Sequence, residues 1–163
     1  MTLDELQTFS RSKADEASGG YIDSTELIRY INQGYRLVYG KIVQRFEDYF
    51  ITIGTTGNGG LFTTVNGQMS YTLPANMKKV VRVEGREAGQ TDDNLWRRLE
   101  RANIQNDFSR DRYYDTWTDR LTRFQYFIAG NQIHFRPVPS SQVSVRLWFI
   151  PQLTALSLST DLS

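Results

Sequence analysis

The chain has 163 residues, no cysteine, and 19 basic against 18 acidic side chains, a net charge of +1. That length suits one ordinary domain with a real core, and the near-neutral balance excludes a bulk nucleic-acid-binding protein or an acidic tail protein. Without cysteine, disulfides, thiolate metal sites and cysteine nucleophiles are excluded together. The N-terminal stretch MTLDELQTFSRSKADEA is polar and lacks the apolar segment of a signal peptide. No run approaches the roughly 18 consecutive apolar residues of a membrane span. A soluble, cytosolically made protein is expected.

Residues 3–16 fit a short helix, with Leu3, Leu6 and Phe9 on one face and a stop at Ser18-Gly19-Gly20. The next helix has the strongest signal. Asp23 or Ser24 caps it, and Asp23 with Glu26 has capping-box spacing. Leu27, Ile31, Tyr35, Val38, Ile42 and Phe46 then recur at steps of four and three, one apolar stripe over about five turns. Gly34 and Gly40 sit inside it, each at a propensity cost of about 1 kcal/mol. Interior glycines can let another backbone come close; simple tolerance explains them equally well.

Asp48–Ile53 alternates with period two and reads as a strand. Gly54–Gly60 (GTTGNGG) reads as a flexible connector built on Gly54, Gly57, Asn58, Gly59 and Gly60. It matches a phosphate loop in glycine content alone, since no Lys followed by Ser or Thr is present. Leu61–Val65 and Gln68–Leu73 flank Asn66-Gly67, the preferred pair for a type I′ turn, and predict a β-hairpin. Pro74 ends that strand and Lys79–Glu84 starts another.

Residues 86–120 read in two ways. Asp92 and Asp93 cap a helix carrying Leu95, Leu99 and Ala102, or Leu95–Leu99 is a short strand leading into a helix over Ala102–Arg112. Ser109–Arg120 is dense in charge and aromatics and reads as a surface loop. Strands return at Arg123–Ile128, Gln132–Arg136 and Val143–Phe149, with Gly130-Asn131, Pro137 and Pro139 between them. Beyond Pro151 the tail LTALSLSTDLS is weakly apolar, charged only at Asp161, and has no period that demands a fold.

Catalytic chemistry finds little footing. His134 lies between Ile133 and Phe135, so if these face the core, alternation turns the imidazole to the other face. One histidine with no carboxylate set cannot build a metal site. Asp4/Glu5, Asp15/Glu16 and Asp92/Asp93 fall at helix ends, where they satisfy backbone donors and the dipole. Ser10, Ser18 and Ser109 have no nucleophile-elbow context.

Nucleic-acid binding has a firmer basis. Arg97, Arg98, Arg101, Arg110, Arg112, Arg120 and Arg123 are interleaved with Tyr113, Tyr114 and Trp117, the mixture used by a single-strand platform. Glu100, Asp107, Asp111, Asp115 and Asp119 interrupt that run. A salt-bridged face, within the chain or across a subunit boundary, accounts for the alternation better, because Arg, Tyr and Trp are also enriched at protein interfaces.

The order of elements and two motifs carry a resemblance. Tyr71-Thr72-Leu73-Pro74 ends one strand, and Tyr126–Pro139 (YFIAGNQIHFRPVP) reads strand, glycine, strand, Pro-x-Pro. Over residues 21–151 the chain resembles the head-to-tail adaptor (connector or neck) proteins of tailed bacteriophages. The resemblance implies a ring, usually dodecameric, docked beneath the portal protein. Such a ring extends the channel for genomic DNA without sequence recognition and offers a platform to a downstream neck or tail protein. It further implies no enzymatic activity, no cofactor, and a place at the head–tail junction of the virion. The arginine-dense stretch then lies at a subunit or portal interface or near the channel. Residues 151–163 become an arm gripping the portal or a neighbouring subunit through Leu153, Leu156, Leu158 and Leu162; a disordered terminus is the alternative.

The expected fold is α+β, an N-terminal helical pair packed with a small antiparallel sheet and an extended C-terminal arm, divided into an N-terminal helix over 1–20, an α+β core over 21–150 and the arm over 151–163. The rival function is a single-strand nucleic-acid-binding module using Arg97–Arg123.

Overall fold

The computed structural model describes residues 2–14, 22–102 and 124–157. The class is α+β. The described residues fall into two compact units, one drawn from Met1–Tyr49 and Leu153–Ser163, the other from Phe50–Gln152.

The first unit holds α1 (Leu3–Lys13) and α2 (Ser24–Arg45). A capping box opens α1: Glu5 N donates to Thr2 Oγ1 at 3.1 Å, and Thr2 N donates to Glu5 Oε2 at 2.8 Å. The capping box expected at Asp23 and Glu26 is not formed. Asp23 is the N-cap residue, but its side chain makes no cap hydrogen bond. Arg11 of α1 occupies that helix start instead, its Nη2 donating to the Ile22 carbonyl at 3.0 Å and to Ser24 Oγ at 3.4 Å. The Ser18-Gly19-Gly20 stop lies outside the described residues.

The stripe predicted on α2 is only partly covered. Leu27 is buried and Ile31, Tyr35 and Ile42 are half-buried, whereas Val38 and Phe46 are exposed and Tyr39 is buried in their place. The expected strand over Asp48–Ile53 is corrected to a 3-10 helix, Glu47–Phe50, followed by β1 (Thr52–Ile53). Only its last two residues find a sheet partner.

The second unit contains two sheets. In the first, β1 and β2 (Leu61–Thr63) pair along one edge of β9 (Val143–Pro151), β4 (Met77–Glu87) along the other, and β5 (Arg97–Arg98) beyond β4. The second runs β3 (Ser70–Thr72), β8 (Gln132–Arg136), β7 (Gln125–Ala129) and β6 (Glu100–Arg101). All pairings are antiparallel except β6 with β7.

The hairpin predicted across Asn66-Gly67 is also corrected. The turn itself exists: Gly67 adopts φ 79°, and Gln68 N donates to the Val65 carbonyl at 3.1 Å. Its arms part, however, β2 joining β9 and β3 joining β8.

The core lies between the sheets. Val83, Val145, Leu147 and Phe149 from the first meet Tyr126, Ile133 and Phe135 from the second, with Leu73, Leu99 and Phe124 completing the cluster. Phe124 stacks on Phe135 at 4.9 Å. Such alternate burial along β9 follows the period of two, and each large side chain is worth about 2 kcal/mol when fully covered.

Candidate functional site

The same alternation gives the first sheet an outward face of opposite character. With Val83 turned to the core, Arg82, Glu84 and Arg86 of β4 point away from it, as do Arg146 and Trp148 of β9. Register pairs Glu84 with Arg146 and Arg82 with Trp148. The Glu84 carboxylate is buried, its side chain 3% exposed. It accepts from Arg82 Nη2 at 2.5 Å through Oε1, and from Arg146 Nη2 at 2.8 Å and Trp148 Nε1 at 2.8 Å through Oε2. A carboxylate taken out of water is costly unless paired and hydrogen-bonded, and this one is both.

Above that pair lies Trp96, delivered by the 3-10 helix Asp93–Leu95, which Asp92 caps through Asn94 N at 2.9 Å. The guanidiniums of Arg86 and Arg146 lie 4.4 and 4.3 Å from the Trp96 ring centre, within cation–π range. Trp96 Nε1 donates to Asp93 Oδ1 at 3.1 Å. That same oxygen is 3.8 Å from both Arg86 Nη1 and Arg146 Nη1. Sequence reasoning missed this cluster. Its signal was present as Arg-x-Glu-x-Arg on β4 and Arg-x-Trp on β9, two alternations whose facing is visible only once the strands are paired.

The predicted site residues are spread over several elements. Arg97 and Arg98 form β5, and Arg101 lies in β6; all three are exposed. Arg110, Arg112, Tyr113, Tyr114 and Trp117 lie outside the described residues, as do Leu158 and Leu162, the surface loop expected over Ser109–Arg120 and, past Ala102, the helix expected over Ala102–Arg112. Leu153 and Leu156 are half-buried. Leu156 is held on α2 by Asn32, which donates from Nδ2 to its carbonyl at 3.1 Å and accepts at Oδ1 from its amide at 2.8 Å. A groove of about 520 Å3 beside Asn32 is lined also by Glu26, Arg29, Tyr30, Gln33 and Arg36.

Gly54 and Gly60 close their loop onto β9. Gly54 N donates to the Leu147 carbonyl at 2.7 Å, and Leu147 N to the Gly60 carbonyl at 2.8 Å. Asn58 Oδ1 accepts from Thr55 N at 2.7 Å and Gly60 N at 3.0 Å. His134 turns away from the core, as alternation requires, and stacks on Phe127 at 4.7 Å. Among the described residues no group of acidic or histidine side chains is placed to hold a metal ion, and no helix is long and apolar enough to cross a membrane.

The family model described as SU10 adaptor protein matches residues 1–163. The chain belongs to that family. Membership makes it a structural protein of a bacteriophage virion that works with other head or tail proteins. No curated protein matches the adaptor's sequence.

Proposed function

We propose that the chain forms a ring beneath the portal protein, joins the phage head to the tail, and continues the DNA channel toward a downstream neck or tail protein. Family membership supplies the adaptor role. The exposed side of α2 carries the step to self-association. Tyr30, Leu37 and Val38 are each more than half exposed, and nothing lies within 4 Å of the place a Cβ would take on Gly34 among them. Large apolar groups left in water on a rigid helix gain about 25 cal/mol per Å2 when a neighbour covers them. In this reading, with a ring that is dodecameric as in the adaptors the chain resembles, Arg97, Arg98 and Arg101 and the arm from residue 151 onward meet the portal or the adjacent subunit. Genomic DNA passes through without sequence recognition.

The test mixes purified protein with portal-bearing capsids and examines negatively stained images. Rings on the portal vertex are expected, and loss of docking on removal of residues 151–163. A solitary monomer that ignores capsids at high concentration sinks the reading.

A further inference from the structure

We propose that the outward face built by Arg82, Arg86, Arg146, Trp96 and Trp148 receives an acidic segment of a protein partner. One partner carboxylate takes the place now held by Asp93 between the Arg86 and Arg146 guanidiniums. The inference goes beyond the ring reading.

Three observations carry it. The first is charge. Arg82, Arg86 and Arg146 bring three guanidiniums to a face that answers them with Glu84 and Asp93. The second is unequal satisfaction. Glu84 binds at 2.5–2.9 Å, ordinary for charge-assisted hydrogen bonds. Asp93 stands 3.8 Å from each guanidinium and is 85% exposed, too far for a direct hydrogen bond. Arg86 Nε is buried and has no hydrogen-bond partner among the described residues. Asp93 thus marks where an anion belongs without filling it tightly.

The third observation is rigidity. Glu84 fixes Arg146 below, Trp96 stacks across Arg146 and Arg86, and the Asp92 carbonyl accepts from Arg86 Nη1 at 3.1 Å. Guanidiniums already immobilised lose little entropy when a carboxylate arrives. Arg and Trp in such settings are the residues that carry interface energy.

Protein carboxylates fit better than nucleic acid. A single strand binds by stacking bases on free aromatic faces. Here Trp96 already has Arg86 and Arg146 over it, and Trp148 has Arg82 and Arg146 at 5.6 and 5.8 Å. Both indole N–H groups are committed to carboxylates.

The probe is fluorescein-labelled deca-glutamate titrated into the full chain at low ionic strength, read as fluorescence anisotropy. Saturable binding that weakens with salt is expected. Asp93→Asn keeps an oxygen for the Trp96 N–H and removes the competing charge, so it tightens binding about threefold. Arg86→Gln weakens it by a similar factor; Arg82→Gln, at a side chain 44% exposed, does the same should the Arg86 variant fail to fold. The proposal is overturned by absence of binding, or by unchanged affinity in Asp93→Asn. It is overturned equally if an oligothymidylate of matched length binds more tightly with the same arginine dependence, which assigns the face to nucleic acid. Because the isolated chain is used, none of these outcomes bears on docking to capsids.

Discussion

The side-chain amide of Asn32 grips the backbone of Leu156 in both directions, donating to its carbonyl at 3.1 Å and accepting from its amide at 2.8 Å. An asparagine on a helix thereby does what a strand neighbour does, supplying donor and acceptor to an extended segment. Intramolecular hydrogen bonds contribute about 1 kcal/mol each, so the clip is strong enough to order the segment and weak enough to open.

Asn32→Ala removes both bonds and is expected to raise the exchange rate of the Leu156 amide about tenfold or more in hydrogen-exchange measurements. Asn32→Asp retains an acceptor for the Leu156 amide and loses the donor, so its effect should be smaller. Equal rates in all three proteins would show that the arm is held by other contacts.

Glu84 is expected to be the most sensitive polar position. Glu84→Ala strips Arg146 of its close acceptor and leaves the Trp148 N–H unpaired, at a cost of about 3 kcal/mol in urea unfolding. Glu84→Gln, which keeps an oxygen for the indole, should cost less. A double-mutant cycle with Arg146→Ala should return a coupling above about 1 kcal/mol; additivity within error would mean that the two residues act independently.

Much of this fold is legible locally. Gln132–Arg136 is read from alternation alone, and Val143–Phe149 falls short of β9 only by Ile150 and Pro151. Burial of Ile133 and Phe135 on either side of half-buried His134 follows from the same period. The Asn66-Gly67 turn is also legible, and the pairing beyond it is not. Two short strands next to a turn compete for partners, and β9, nine residues long with β4 along its other edge, offers β2 more than β3 can. The Glu84 cluster is hidden for a related reason: its members are 62 and 64 residues apart and meet only through the β4–β9 register. Glycines at 54 and 60 carry an expectation of looseness because glycine reads the same whether it supplies freedom or closeness.

Alkaline pH should loosen the β unit. Burial raises the Tyr126 phenol above its ordinary value of 10.0, against the opposing pull of Arg101 and Arg98. A raised phenol keeps its proton in the folded state longer than in the unfolded one. The stabilisation is therefore complete below pH 10 and is lost as pH rises through the folded value. Unfolding midpoints in urea should fall across that range, and Tyr126→Phe should flatten the decline. An identical slope in the two proteins would assign the loss elsewhere, for example to Tyr39, whose phenol burial also raises.

Glycine substitutions separate closeness from openness. A Cβ on Gly54 would fall onto the Gly60 carbonyl and one on Gly60 would meet the Gly54 Cα, so neither alanine fits without moving the loop off Leu147. Each should cost about 2 kcal/mol or more in urea unfolding. Gly57→Ala meets only Thr55 Oγ1 at 3.9 Å and should be near neutral. Gly34→Ala is the opposite case. Its Cβ meets nothing within 4 Å, and exchanging glycine for alanine inside a helix is worth about 1 kcal/mol, so the isolated chain should become more stable. If α2 packs on a second copy through Tyr30, Leu37 and Val38, the added methyl stands where that helix approaches, and self-association measured by light scattering should weaken while the monomer gains. A Gly34→Ala protein that is both more stable and equally associated would place the contact elsewhere on the chain.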